Sequence, residues 1–241
     1  MQDVISLEAP AGRGRRLRLL AARARALAPT RVEALLAATS TLLLVLSFPD
    51  FDLWPLAWVG LVPLSVAVVR SPMRGARAFV LGWAFGTVFF YSTCYWLSHA
   101  IIHYGGFPPL VAYLLIAPAT IVTGLFPATW AFALARLAAR RGAGLALLLS
   151  PFIWAALEWA RLGATGQLWN AVGYSQAYAP ALIQTARWGG VYMVGFLILS
   201  VNAALAFLLL KRSLRAGLTA AAAAATVALV ILVSSRPDAD N

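Results

Sequence analysis

The chain has 241 residues, 62% of them hydrophobic and 11% charged, with a mean hydropathy of +0.82. A soluble domain carries about a quarter charged residues, so this composition excludes an ordinary soluble globule, and its hydrophobicity excludes a disordered chain. Cys94 is the single cysteine, which excludes a disulfide scaffold, and the formal charge of +11 is distributed along the chain as membrane topology would place it, not as a nucleic-acid surface.

The chain opens on a basic tail, residues 1–31. Arg13, Arg15, Arg16, Arg18, Arg23, Arg25 and Arg31 all precede the first apolar run, as expected of a charge cluster held on the cytoplasmic side. The run that follows is long and has no small-residue cleavage site, so it reads as a retained span and not as a signal peptide. Leu17, Leu19, Leu20 and Leu27 allow a second reading of the tail, as an amphipathic helix on anionic lipid.

A bilayer core of about 30 Å needs roughly 20 apolar residues in helix. Cut at charge, Pro and Gly clusters, the remainder yields about seven spans: 32–47, 54–69, 78–99, 110–135, 145–159, 191–210 and 218–233. The expected fold is therefore an all-α, polytopic membrane helix bundle. Three gaps are basic: Arg70, Arg74 and Arg77; Arg136, Arg140 and Arg141; Lys211, Arg212 and Arg215. They alternate with gaps at 48–52, 101–109, 161–190 and 236–241, whose cations are Arg161, Arg187 and Arg236. The basic set belongs inside with the N-terminus, and an odd number of spans puts the C-terminus outside.

Along the third span, Gly82 and Gly86 form a small-xxx-small pair that admits a neighbouring helix. Cys94 lies in the run Phe89 to Trp96 with no cation nearby in sequence, and is expected to be inert packing. His99 and His103 have metal-ligand spacing, with Asp50 and Asp52 in another outward gap, but no ligand pattern is completed, and no metal or cofactor is expected. Trp54, Trp58, Trp96, Trp159, Trp169 and Trp188 fall at outer interfaces, where an aromatic belt is expected.

A charge inside a bilayer costs about 2.5–3.5 kcal/mol at mid-helix. Glu158 meets that condition near the end of the fifth span, and Arg161 follows three residues later on the same face, so the two are expected to form a structural ion pair. The stretch 161–190 is too long for a connector and too apolar for a solvated loop. Gly163, Gly166, Gly173 and Pro180 should break regular helix there, and irregular backbone at membrane depth must pack on protein or line a wet cavity. Trp169, Asn170, Tyr174 and Gln176 are the residues expected to face lipid or substrate.

Several runs occur in a recognisable order. They are Phe48-Pro49-Asp50-Phe51-Asp52-Leu53-Trp54-Pro55-Leu56-Ala57-Trp58; Gly82-Trp83-Ala84-Phe85-Gly86 with Tyr104-Gly105-Gly106-Phe107-Pro108; Leu157-Glu158-Trp159-Ala160-Arg161; and Trp169-Asn170-Ala171-Val172-Gly173-Tyr174-Ser175-Gln176. Gly190-Val191-Tyr192 and Asn202-Ala203-Ala204-Leu205 continue the order. Together they resemble the N-terminal membrane region of apolipoprotein N-acyltransferase, over about residues 33–215.

The resemblance implies a multi-pass protein of the bacterial inner membrane with a periplasmic C-terminus. It also implies a pathway in which an acyl chain passes from a phospholipid to the amino group of a diacylglyceryl-cysteine on an apolipoprotein. In that family the work is done by a nitrilase-like domain with a cysteine, a glutamate and a lysine, inserted after the seventh span and followed by an eighth. None of these is expected within the 241 residues, and Cys94 precedes the insertion point, so no catalytic residue is assigned. Leu168 stands where the family often has Pro. The expected domains are the tail 1–31, a membrane domain 32–235 with its outer interfacial loop 161–190, and a short outer tail 236–241. The expected role is the scaffold and lipid-access half of such a system, with phospholipid, apolipoproteins and a separately encoded catalytic half as partners. The alternative is a non-catalytic membrane module that binds phospholipid or a membrane protein. A small transporter would need paired broken helices or several mid-membrane charges, which the chain does not present.

Overall fold

The computed structural model describes residues 27–70 and 75–235, and the regular elements among them are all helical. The tails 1–26 and 236–241, with most of the basic cluster, lie outside the described residues, as does Arg74.

The first helix, α1 (Arg31–Leu46), begins at a capping box. Thr30 Oγ1 accepts from Glu33 N at 3.3 Å and Glu33 Oε2 accepts from Thr30 N at 2.6 Å, which satisfies two of the donors left open at a helix start. A 3₁₀ turn (Trp54–Leu56), α2 (Ala57–Gly60) and α3 (Val62–Arg70) follow. The expected second span is thus a broken helix, interrupted at Leu61 just before Pro63, which has no N–H to give. Side chains from elsewhere satisfy the break. Asn202 Oδ1 accepts from Leu61 N at 2.8 Å, Asn202 Nδ2 donates to Ala57 O at 2.9 Å, and Ser40 Oγ accepts from Leu64 N at 2.9 Å.

Next come α4 (Gly75–Thr93) and α5 (Leu97–His103), bent by 52° at the intervening residues, so the expected third span is not one straight helix. Helices α6 (Pro109–Thr123) and α7 (Leu125–Arg141) run on as a 33-residue apolar stretch. At 1.5 Å per residue this reaches about 50 Å, well past a bilayer core of about 30 Å. Helix α8 (Ala143–Thr165) ends at Gly166, which takes φ +67° as a left-handed cap. Gly163 lies inside α8 and does not break it, contrary to expectation. The loop beyond folds into a 3₁₀ turn (Val172–Gln176), α9 (Pro180–Ile183) and a second 3₁₀ turn (Gln184–Trp188). Two helices, α10 (Gly190–Lys211) and α11 (Leu214–Ser234), complete the described chain.

Four stretches are long and apolar enough to cross a membrane, Pro109–Arg141, Ala143–Thr165, Gly190–Lys211 and Leu214–Ser234, and the bent α4–α5 pair would make five. The fourth and fifth expected spans are too short, since they run on to Arg141 and Thr165, and the third ends early at the bend.

At the centre lies α3, whose Val62, Leu64, Ala67, Val68 and Val69 are buried. It packs against α1, α7, α8 and α10, while α4 lies across α1 and α7 and α11 leans on α10 from outside. Glycine sets the closest approach. A Cβ at Gly82 would stand 2.7 Å from Ala131 Cβ and from Pro127 O, so α4 and α7 touch only because Gly82 has none. Trp130 fills the space between α7 and α8, its Nε1 donating to Ser150 Oγ at 3.2 Å. The connectors sort into two ends. At one, Arg77 reaches Glu33 at 2.6 Å and Gly75 meets Phe132 and Arg136. At the other, the aromatic loops meet.

Candidate functional site

The aromatic end is held together by buried polar side chains. Gln176 has no exposed surface: its Oε1 accepts from Trp58 Nε1 at 3.2 Å, and its Nε2 donates to Trp54 O at 3.2 Å and to Ser175 Oγ at 2.9 Å. One side chain thereby joins the 172–176 turn to the start of the broken helix. Gly173 lies against the carbonyl of Val191, an approach that a side chain would block.

The end of α8 makes a second set of bonds. Glu158 Oε1 accepts from Val172 N at 2.9 Å, and Arg161 Nη1 donates to Trp169 O at 2.8 Å. Asn170 Nδ2 donates to Cys94 Sγ at 3.0 Å, and Asn170 itself sits at φ +56°, a left-handed conformation that Asn tolerates better than most residues. Three contacts therefore fasten residues 169–172 to α8 and to the α4–α5 bend. Glu158 and Arg161 are 6% and 3% exposed, so neither lies at an interface with solvent. No ion pair joins them within 4.0 Å, and Glu158 Oε2 and Arg161 Nη2 have no hydrogen-bond partner. The expected direct pairing is corrected on geometry: each charge spends one atom on the backbone of the loop. Glu158 Oε2 instead faces Gly195 of α10, 3.4 Å from where a Cβ would stand, an ordinary contact distance.

The four residues expected to face lipid divide. Trp169 and Tyr174 are exposed, at 41% and 44%, and Trp169 packs edge-on against Trp96 at 5.5 Å. Asn170 is half-buried, and Gln176 points fully inward as an internal tie. Cys94 is not without a cation, as its sequence neighbours suggested: folding brings Arg161 to the same cavity. Cys94 Sγ accepts a hydrogen bond from the Asn170 amide and donates none to a base, so the site has none of the geometry of an activated nucleophile. His99 and His103 stand ring to ring at 4.1 Å. Asn202 and Ser40 were missed. An Asn inside an apolar run was the available signal for the first; nothing marks the second.

The fold and its aromatic end define a helical membrane domain whose loops are tied by buried polar side chains. Residues 40–204 match the family described as the apolipoprotein N-acyltransferase N-terminal domain. The chain is 36% identical over 177 residues to the apolipoprotein N-acyltransferase of Geobacter metallireducens, covering 73% of this chain and 33% of the relative. It is 33% identical to that of Chromobacterium violaceum over 178 residues, again 73% and 33% of the two chains, and 34% identical to that of Pseudomonas putida over 182 residues, 73% and 34%. The chain belongs to this family through its N-terminal domain, and it spans about a third of the length of these curated relatives.

Proposed function

We propose that the chain is the membrane scaffold and lipid-access half of an apolipoprotein N-acyltransferase system, working with a nitrilase-like catalytic half. In this reading it lies in the bacterial inner membrane and crosses it about seven times, counting α1, the broken helix and the bent pair, with the N-terminus cytoplasmic and the C-terminus periplasmic. Phospholipid is the acyl donor and the diacylglyceryl-cysteine of an apolipoprotein the acceptor. The observation that carries the reading is the family match across 40–204 together with the aromatic end, where Trp169 and Tyr174 stay exposed on a backbone tied down by Gln176, Glu158 and Arg161. A tied loop with exposed aromatic faces suits presentation of a lipid to a domain docked above it. The recurrence of Arg70, Arg77, Arg136, Arg140, Arg141 and Lys211 in alternate connectors supports the orientation.

Co-expression tests it. In cells depleted of their own acyltransferase, the chain plus a catalytic half from a relative should convert a reporter lipoprotein from the diacylated to the triacylated mass. Equal conversion by the catalytic half alone would leave the scaffold without a role.

A further inference from the structure

Four of the five buried side-chain polar atoms without a hydrogen-bond partner among the described residues belong to one cluster. They are Trp154 Nε1, Glu158 Oε2 and Arg161 Nη2 on α8, and Tyr192 OH, which adjoins both charges from α10. Native interiors leave few such groups bare, because each gives up its hydration without return. Trp154, Glu158 and Arg161 border one small cavity of ≈ 10 Å³, whose other walls are mostly apolar: Phe90, Phe126, Pro127 and Leu157. Glu158 and Arg161 are each more than nine-tenths buried, and no charged atoms of the two come within 4.0 Å. A gap between two buried polar groups that is too wide for direct contact suits one bridging molecule.

Size and charge identify the occupant. The volume admits about one water and nothing larger. A cation would meet the Arg161 guanidinium and an anion the Glu158 carboxylate, so the cavity favours a neutral molecule that both donates and accepts. We propose that it holds one ordered water, which accepts from Arg161 Nη2 and Trp154 Nε1 and donates to Glu158 Oε2. Three partners are the usual complement of a buried water. Glu158 Oε1 and Arg161 Nη1 already hold Val172 N and Trp169 O, so the water closes a continuous chain from one loop tie to the other. Residues 169–172 are then anchored by one network and not by two separate bonds. The proposal concerns this anchor alone and stands apart from the lipid-access reading.

Crystals of the full wild-type chain grown from a lipidic mesophase, at a resolution that shows ordered solvent, give the direct test. One water peak should lie within about 2.7–3.2 Å of both Glu158 Oε2 and Arg161 Nη2. Solid-state NMR of the chain in liposomes gives a second test that needs no crystal. Magnetisation started on water should reach the Glu158 carboxyl carbon at short mixing times, although the residue is only 6% exposed. Glu158→Gln identifies that carbon by the loss of its signal, and the crystal test decides the matter if this variant does not fold. Direct contact between Glu158 and Arg161 with no peak between them would overturn the proposal. So would a peak that gains an anomalous signal when chloride is exchanged for bromide, or the failure of water magnetisation to reach Glu158.

Discussion

Asn170 donates its Nδ2 hydrogen to Cys94 Sγ at 3.0 Å, and with the edge-on packing of Trp169 on Trp96 this contact fastens the loop after α8 to the bend between α4 and α5. Because Asn170 also holds φ +56°, the position asks for two properties at once. Replacing it with Ala should remove the hydrogen bond and, with it, the short polar side chain that makes the left-handed backbone tolerable for Asn, a loss of about 2–3 kcal/mol. Asn170→Gly keeps the backbone at ease and should lose only about 1 kcal/mol. Cys94→Ser retains an acceptor and should unfold close to the wild-type temperature. Thermal unfolding in detergent ranks the three, and equal losses for Ala and Gly would show that the backbone conformation contributes nothing.

Glu158 and Arg161 should be coupled even though no ion pair joins them within 4.0 Å. Both are buried and both hold the same loop, through Val172 N and Trp169 O. Removing either leaves the other charge buried without compensation, so each of Glu158→Ala and Arg161→Ala should destabilise by about 3–5 kcal/mol. The double replacement should recover about 1–3 kcal/mol relative to the sum. Strict additivity in the double-mutant cycle would show that the loop holds each charge independently.

Glu33 serves two partners at the basic end, capping α1 through Thr30 and pairing with Arg77 at 2.6 Å. Gln can still complete the capping box, so Glu33→Gln isolates the ion pair, which is largely buried, and should cost about 3 kcal/mol. Glu33→Ala loses the reciprocal cap as well and should cost about 1 kcal/mol more. Matching losses for the two variants would mean that the cap adds nothing to the pair.

The alternation of Arg-rich and Arg-poor connectors makes a topological prediction. Reporter fusions after Arg140 and Arg212 should report cytoplasm, and fusions after Gly106 and Gln176 should report the periplasm. A cytoplasmic signal after Gln176 would put the tied aromatic loops on the wrong side for a periplasmic partner.

Much of the helical organisation was legible because apolar runs and Arg-rich gaps are properties of consecutive residues. Gly82 and its closest neighbours Pro127 and Ala131 show the limit of that signal: the small-xxx-small pattern marked a helix contact, but only the fold says which helix is met. The break at Leu61 was hidden because its stability depends on Asn202 and Ser40, which reach it from distant helices. The same holds at the site. Trp169 and Tyr174 were read as outward-facing aromatics from their place in a loop, whereas Gln176 in that loop turned inward to bonds with Trp54 and Trp58 that local pattern does not encode. Arg161 was assigned to the gap after a span ending at 159, and α8 carries it as a buried helical residue because Gly166, not Gly163, ends the helix.

Reconstitution from purified components separates a divided activity from an undivided one. The chain, a catalytic half, phospholipid and a diacylated lipopeptide are combined in nanodiscs, and the lipopeptide is weighed. Triacylated product is expected only when both halves are present, with no hydroxylamine-sensitive thioester on Cys94 of this chain at any stage. Turnover by this chain unaided, or a thioester on Cys94, would contradict a divided activity.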